Sequence, residues 1–281
     1  MTILITGATG NVSGALLRSL PTTDDVRVLV RDPGKARDVA GAEVVVGDLD
    51  QPRTLGPAFE GVDTLWLLTA MGPQAPHASM NAVWAARRAG VRHIVRMSAV
   101  GAGHEAPTRN GRLHALSDAE LMASGLGWTI IRPHFFMQNL LGSVNGDTLF
   151  GNLGEGRLGM IDVRDIADFA ARVLTEPENH DGKVYTLTGP AVISLKEAAE
   201  QFGTVLGTPI RYHSLSEPEA YQAMLGAGLP DWIAAVNAEY GTAYAGGWGD
   251  FTTPDFPDVM GRPARSFADF ARDFADRIRG A

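Results

Sequence analysis

The sequence predicts an α/β fold: a doubly wound parallel sheet with helices on both faces, followed by a small C-terminal α+β lobe. Two observations carry this. Short, near-continuously apolar β-type runs alternate with helical patterns through the first half, as a parallel sheet covered on both sides requires. The first such run (Ile3, Leu4, Ile5) leads straight into Gly7-Ala8-Thr9-Gly10-Asn11-Val12-Ser13, and then into a helical spacing of Val12, Leu16, Leu17 and Leu20.

The elements follow in order. Val26–Val30 reads as a second strand, Glu43–Val46 as a third, and Thr64–Thr69, His93–Met97 and Trp128–Ile131 as the next three. Helical stretches lie between them at Thr54–Phe59 and at Met80–Ala89, the latter stopped by Gly90. Gly101–Arg112 reads as a long loop, and the glycine-rich Gly142–Gly159 as another. Asp162–Leu174 has a 3.6-residue apolar period, Lys183–Leu187 is a strand, and Ser194–Leu206 is a helix with Ser194 and Glu197 as a capping box. Glu217–Ala281 is helical with Gly and Pro breaks. The expected organisation is a nucleotide-binding domain over residues 1–150, to which 160–190 return, and a substrate-side lobe over 191–281.

Composition narrows the function classes. The 281 residues are 45% apolar and 20% charged, an ordinary globular balance. A net charge of −8 argues against a nucleic-acid surface. The absence of cysteine excludes disulfides, thiolate metal sites and cysteine nucleophiles. No run approaches the eighteen or so apolar residues of a membrane span, and the N-terminus reads as a core strand, so a cytoplasmic monomer or homodimer is expected. The histidines are scattered without metal-ligand spacing, and no Gly-x-Ser-x-Gly elbow occurs. Asp162 and Asp165, three apart at a helix start, are explained by capping and the helix dipole.

The strand–glycine turn–helix unit is an anion site, because a helix N-terminus presents unpaired N–H groups and glycines let a pyrophosphate approach the backbone. Gly7, Thr9, Gly10, Asn11 and Val12 are the residues that would cradle it. The second strand ends Val30-Arg31-Asp32, where dinucleotide folds meet the adenosine ribose. Arg31, with Lys35 and Arg37 nearby, favours a 2′-phosphate and hence NADP(H); Asp32 taking the ribose would suit NAD(H). In Gly47-Asp48-Leu49 the carboxylate of Asp48 accepts from the adenine amino group or caps the next helix. Thr69, Ala70 and Ser98 close the fourth and fifth strands and should border the cofactor.

With these residues in view, the chain resembles the NmrA-like branch of the atypical short-chain dehydrogenases/reductases. The resemblance lies in GATGNVS, VRVLVRDP, GDL, VRHIVRMSAVGA, SGLGWTIIRPHFFMQNLL, IDVRDIADFAARVL, VYTLTGPAVISLKEAA and GRPARSFADFARDF, in that order. It implies a Rossmann-type domain with a small C-terminal lobe, binding NADP(H) or NAD(H). Members include reductases of quinones, dyes and natural-product intermediates, and redox-sensing regulators without turnover. The resemblance also places Pro133 and His134 beside the nicotinamide.

Two departures stand out. Ser13 replaces the third glycine of the family's GxxGxxG; serine is small enough for close helix–strand packing to survive. The Tyr-x-x-x-Lys pair of typical short-chain dehydrogenases is missing, since no tyrosine precedes Tyr185 and none has a lysine four residues on. The lysine that reductive members keep before the Glu of the SGxxxT block is absent from His114–Glu120 as well. His134 and His114 are the remaining candidates for proton transfer. Met71, Phe135, Phe136 and Asn139 are candidates for a pocket suited to a flat aromatic substrate, with Met137 as pocket or core. Trp248 with Tyr240 and Tyr244 would form a second aromatic wall or simply core. These features favour hydride transfer from NADP(H) to a conjugated acceptor such as a quinone. A dinucleotide sensor without turnover, and a cofactor fold reused for non-redox chemistry, are the alternatives.

Overall fold

The computed structural model describes residues 1–21, 25–36, 39 and 41–279, the Lys35 side chain excepted. In chain order the strands are β1 (Thr2–Ile5), β2 (Asp25–Val30), β3 (Glu43–Val46), β4 (Thr64–Leu67), β5 (His93–Met97), β6 (Gly127–Pro133), β7 (Val144–Asn145), β8 (Thr148–Gly151), β9 (Arg157–Leu158), β10 (Lys183–Leu187), β11 (Ile193–Ser194) and β12 (Arg211–Ser214). The helices are α1 (Asn11–Ser19), α2 (Gly56–Phe59), α3 (Ala75–Ala89), α4 (Arg109–Met122), α5 (Val163–Thr175), α6 (Leu195–Leu206), α7 (Glu217–Gly226), α8 (Asp231–Ala245), α9 (Asp255–Met260), α10 (Phe267–Asp273) and α11 (Ala275–Arg279).

Seven strands form one sheet in the order β10-β6-β5-β4-β1-β2-β3. The β1–β2, β1–β4, β2–β3, β4–β5 and β5–β6 pairings are parallel. Strand order reverses between β1 and β4, and open α/β sheets bind ligands beyond the carboxyl ends of strands at such a switch point. Every residue of β4 and β5 is buried, which is why neither shows the polar–apolar alternation of a strand with one wet face.

The chain divides into two compact units. The first comprises Met1–His104, Gly111–Arg132 and Ile166–Tyr185; the second comprises Glu105–Asn110, Pro133–Asp165 and Thr186–Ala281. In the first, Leu4, Leu29, Leu55, Phe59, Leu65, Ile94 and Ile130 form a core between sheet and helices. In the second, α6 begins with the expected capping box, Ser194 and Glu197 each satisfying the other's backbone N–H. Its apolar face puts Leu195, Ala198, Ala199 and Phe202 into a core with Phe267 and Phe270. Burial of each such phenylalanine contributes about 2–3 kcal/mol.

Several elements differ from the sequence reading. Residues 142–159 are not all loop: β7 and β8 pair antiparallel, and β12 joins β8 in parallel. β9 pairs with β11. α3 starts at Ala75, five residues early, with Pro76 in its first turn where the missing N–H costs nothing. Helix α4 begins at Arg109, inside the segment read as a long loop. Among the described residues no helix is long and apolar enough to cross a membrane.

Candidate dinucleotide-binding site

The β1–α1 turn is built for close approach. Gly7 lies at φ +65°, and a Cβ there would press on Leu68 at 3.0 Å, so a side chain at this place is strained and glycine is favoured. Gly10 donates its N–H to the Gly7 carbonyl at 2.9 Å and then serves as N-cap of α1 without any side-chain cap. The N–H groups of the first turn are therefore left for a ligand, and that turn carries no acidic residue to repel an anion. Gly7, Thr9, Gly10 and Asn11 are exposed, while Val12 turns its side chain into the core.

Beneath the turn, Ser13 is fully buried and does more than keep its volume small. Its hydroxyl donates to the Thr6 carbonyl at 2.9 Å and accepts from Trp66 Nε1 at 2.9 Å. Thr6 Oγ1 in turn lies 2.9 Å from the Leu68 carbonyl and accepts the Leu68 N–H at 2.8 Å. These bonds tie the glycine turn to the end of β4, next to Thr69 and Ala70. Thr69 is half-buried; Ala70 and Met71 are exposed.

At the end of β2, Arg31 is exposed and has no ion-pair partner among the described residues. Asp32 is engaged instead: its Oδ1 accepts the Gly34 N–H at 2.9 Å and caps a single 3₁₀ turn. Arg37 and the Lys35 side chain lie outside the described residues. Asp48 is half-buried past β3, where Oδ1 accepts the Asp50 N–H at 3.1 Å and Asp48's own N–H is donated to Thr54. It does not cap the following 3₁₀ turn, whose N-cap is Gln51. The neighbouring Leu49 carbonyl is held by Asn81 Nδ2 of α3 at 2.8 Å.

The ends of β5 and β6 hold a charged cluster that pattern reading missed. Arg96, 1% exposed, donates from Nε to Asp118 Oδ1 at 3.0 Å. Asp118, also buried, accepts from Ser98 Oγ at 2.8 Å and from Arg132 at 2.9 Å. Arg96 reaches His114 Nδ1 at 3.2 Å. Burial, followed by the positive charges of Arg96 and Arg132, lowers the His114 pKa to about 3 against the pull of Asp118, so the ring is neutral. The available signal was Arg96 itself, an arginine inside an otherwise apolar strand, which needs a buried counter-charge.

The second unit places His134 differently. Its imidazole is 2% exposed, lies between Tyr244 (ring centroids 5.7 Å apart) and Phe251 (5.3 Å), and accepts the Phe135 N–H on Nδ1 at 2.8 Å. Nε2 has no hydrogen-bond partner of good geometry among the described residues, and burial lowers the ring's pKa to about 4 against the opposing pull of the Gly249 backbone. Pro133 is buried, Phe135 packs edge-on to Tyr244, Phe136 bridges to Ile161, and Asn139 is exposed on a 3₁₀ turn. Met137 is 2% exposed and belongs to the core, as do Tyr244 and, at its margin, Tyr240 and Trp248. Asp162 caps α5 through the Arg164 N–H and pairs with Arg164, whereas Asp165 binds Arg262 and Arg265. Among the described residues no cluster of three or more His, Asp or Glu side chains could hold a metal ion.

A family model described as NAD(P)H-binding matches residues 7–177, which begins at Gly7 of the glycine turn and runs through the sheet. The chain belongs to the NAD(P)H-binding family. This NAD(P)H-binding chain is 37% identical to the NAD(P)H azoreductase of Xenophilus azovorans, with 97% of this chain and 98% of the relative covered. It is 30% identical to quinone oxidoreductase 2 of Escherichia coli strain K12, covering 95% and 96%. The crystal structure of the E. coli NADPH-dependent quinone oxidoreductase complexed with NADPH superimposes with a TM-score of 0.87 at 28% identity, over 97% of this chain and 99% of that one. The first unit fits the cofactor: a glycine turn at positive φ, an uncapped helix N-terminus, and an exposed arginine at the end of β2 with no ion-pair partner among the described residues.

Proposed function

We propose that this chain is an NADPH-dependent oxidoreductase whose acceptor is a flat, conjugated molecule of the quinone, azo-dye or triarylmethane-dye class. The observation that carries the cofactor choice is Arg31, exposed and without an ion-pair partner among the described residues, while its neighbour Asp32 is occupied by Gly34. A guanidinium left free at this place matches a 2′-phosphate by geometry and charge, whereas a ribose hydroxyl would call for a free carboxylate. The relatives support the acceptor class: an azoreductase, a quinone oxidoreductase and, at 26% identity and a TM-score of 0.86, a Citrobacter triphenylmethane reductase.

When bound, the reduced nicotinamide supplies a hydride. The backbone N–H groups at Gly10–Val12 would hold the pyrophosphate, and Arg31 the 2′-phosphate. Asp48 keeps one carboxylate oxygen for the adenine amino group. The missing tyrosine–lysine pair suits conjugated acceptors, because the anion left by hydride addition is delocalised and takes its proton from water. A simple ketone would need an acid poised in the transition state.

The test is NADPH consumption against a panel of quinones, azo dyes and triarylmethane dyes, with NADH in parallel. Turnover with at least one conjugated acceptor, faster with NADPH, is expected. Tight NADPH binding with no turnover on any acceptor overturns the proposal in favour of a dinucleotide sensor.

A further inference from the structure

The cluster at the ends of β5 and β6 leaves Arg96 Nη1 buried without a partner among the described residues and fixes the tautomer of His114. An arginine can only donate, so Arg96, 3.2 Å from His114 Nδ1, requires a lone pair on that nitrogen. The ring proton therefore sits on Nε2, which has no hydrogen-bond partner among the described residues, on a half-buried side chain. The tautomer is held from behind in two stages. Asp118 fixes the Arg96 guanidinium, and Ser98 and Arg132 fix Asp118. Every charged group facing the ring is then accounted for: Arg96 from β5, Arg132 from β6 and Asp118 on its own helix. The two cations oppose a proton on Nδ1, so the imidazole stays neutral while its Nε2–H remains a strong donor. Arg96 and Arg132 are the penultimate residues of their strands and Ser98 follows β5 directly, which sets the cluster at the carboxyl edge of the sheet where ligands bind.

We propose that His114 is the hydrogen-bond donor to the electron-accepting atom of the substrate, acting as a neutral electrophile that keeps its own proton. This rests on the oxidoreductase reading above. For a quinone the balance is simple. The ring system takes up a hydride, NADPH becomes NADP⁺, and the negative charge collects on the quinone oxygen. That oxygen accepts from His114 Nε2–H as the charge develops, and a proton from water completes the hydroquinone. An azo nitrogen is served in the same way. Ser98, Arg96 and Asp118 are positioning residues in this scheme.

His114→Phe removes the donor, while His114→Gln keeps an N–H at a similar reach. The Phe variant is expected to lose about 100-fold in kcat/KM for a quinone, as for loss of one preorganised donor, with NADPH affinity unchanged. The Gln variant should retain most of the activity. Wild-type kcat/KM should be level between pH 6 and 8, whereas a proton-donating imidazole would lose activity as pH rises through its ordinary range near 6.5. If the Phe variant fails to fold, ring ¹⁵N shifts of His114 in the wild-type protein decide: a neutral Nε2–H tautomer at pH 6 is expected. Wild-type kcat/KM in the Phe variant, a pH profile that falls above 6.5, or a protonated ring at pH 6 overturns the proposal. A wild-type protein with no turnover on any acceptor overturns the oxidoreductase reading itself, and this assignment with it.

Discussion

The Ser13 hydroxyl accepts the indole N–H of Trp66 at 2.9 Å, joining the third position of the glycine turn to the centre of β4. Both residues are fully buried. The serine that departs from the family's glycine pattern is therefore a built strut. Ser13→Gly restores the motif but leaves Trp66 Nε1 and the Thr6 carbonyl unpaired in the core, at a cost of about 1–3 kcal/mol. Urea denaturation should show that loss while NADPH still binds; unchanged stability would contradict the strut.

Arg31 should separate the two dinucleotides. Arg31→Ala removes the free guanidinium and is expected to weaken NADPH binding roughly 10- to 100-fold, the worth of one charge-assisted contact, with NADH affinity unchanged. Calorimetry with both nucleotides reads this directly. Equal losses for NADPH and NADH would show that Arg31 does not meet the 2′-phosphate.

Acid should destabilise the fold earlier than carboxylate titration alone. Burial lowers the pKa of His134 to about 4 and of His114 to about 3, from 6.5. Between those values and 6.5 the unfolded chain binds protons that the folded chain does not, so stability is full above about pH 6.5 and falls as pH drops. Each histidine contributes a slope of about 1.4 kcal/mol per pH unit in that window. Urea denaturation at pH 7 and pH 5 should differ by roughly 4 kcal/mol in derived stability. A flat profile over this range would contradict the burial of both rings.

In the second unit, Asp165 accepts from the Arg265 backbone N–H at 2.6 Å and pairs with the Arg262 and Arg265 side chains. Its carboxylate is wholly buried. Asp165→Ala should cost about 2–4 kcal/mol, because a main-chain donor and two guanidiniums lose their acceptor together. Thermal unfolding of the variant checks this, and a shift of less than a degree would rule it out.

The strand–turn–helix unit was legible because each of its parts has its own signature: an apolar run, a glycine at positive φ where a Cβ would crowd Leu68, and a 3.6-residue period in α1. Helix α4 was not. Its inward positions include Ser117 and Asp118, and its exposed ones Leu116 and Met122, so hydrophobic periodicity points the wrong way. The same buried polar network hid Arg96 and Arg132 inside strands. β7, β8, β9 and β12 are two to four residues long, too short for alternation to register among glycines such as Gly146 and Gly154 that turn at positive φ. For His134 the sequence offered chemistry without environment; the ring's enclosure by Tyr244 and Phe251 depends on residues more than a hundred positions away.

The most direct measurement mixes equimolar NADPH and a quinone with the protein under anaerobic conditions and follows both nucleotide and product. The account predicts one hydroquinone formed for each NADPH lost, at a rate that falls sharply when NADH replaces NADPH. NADPH that binds and stays reduced, with no hydroquinone formed, would contradict it.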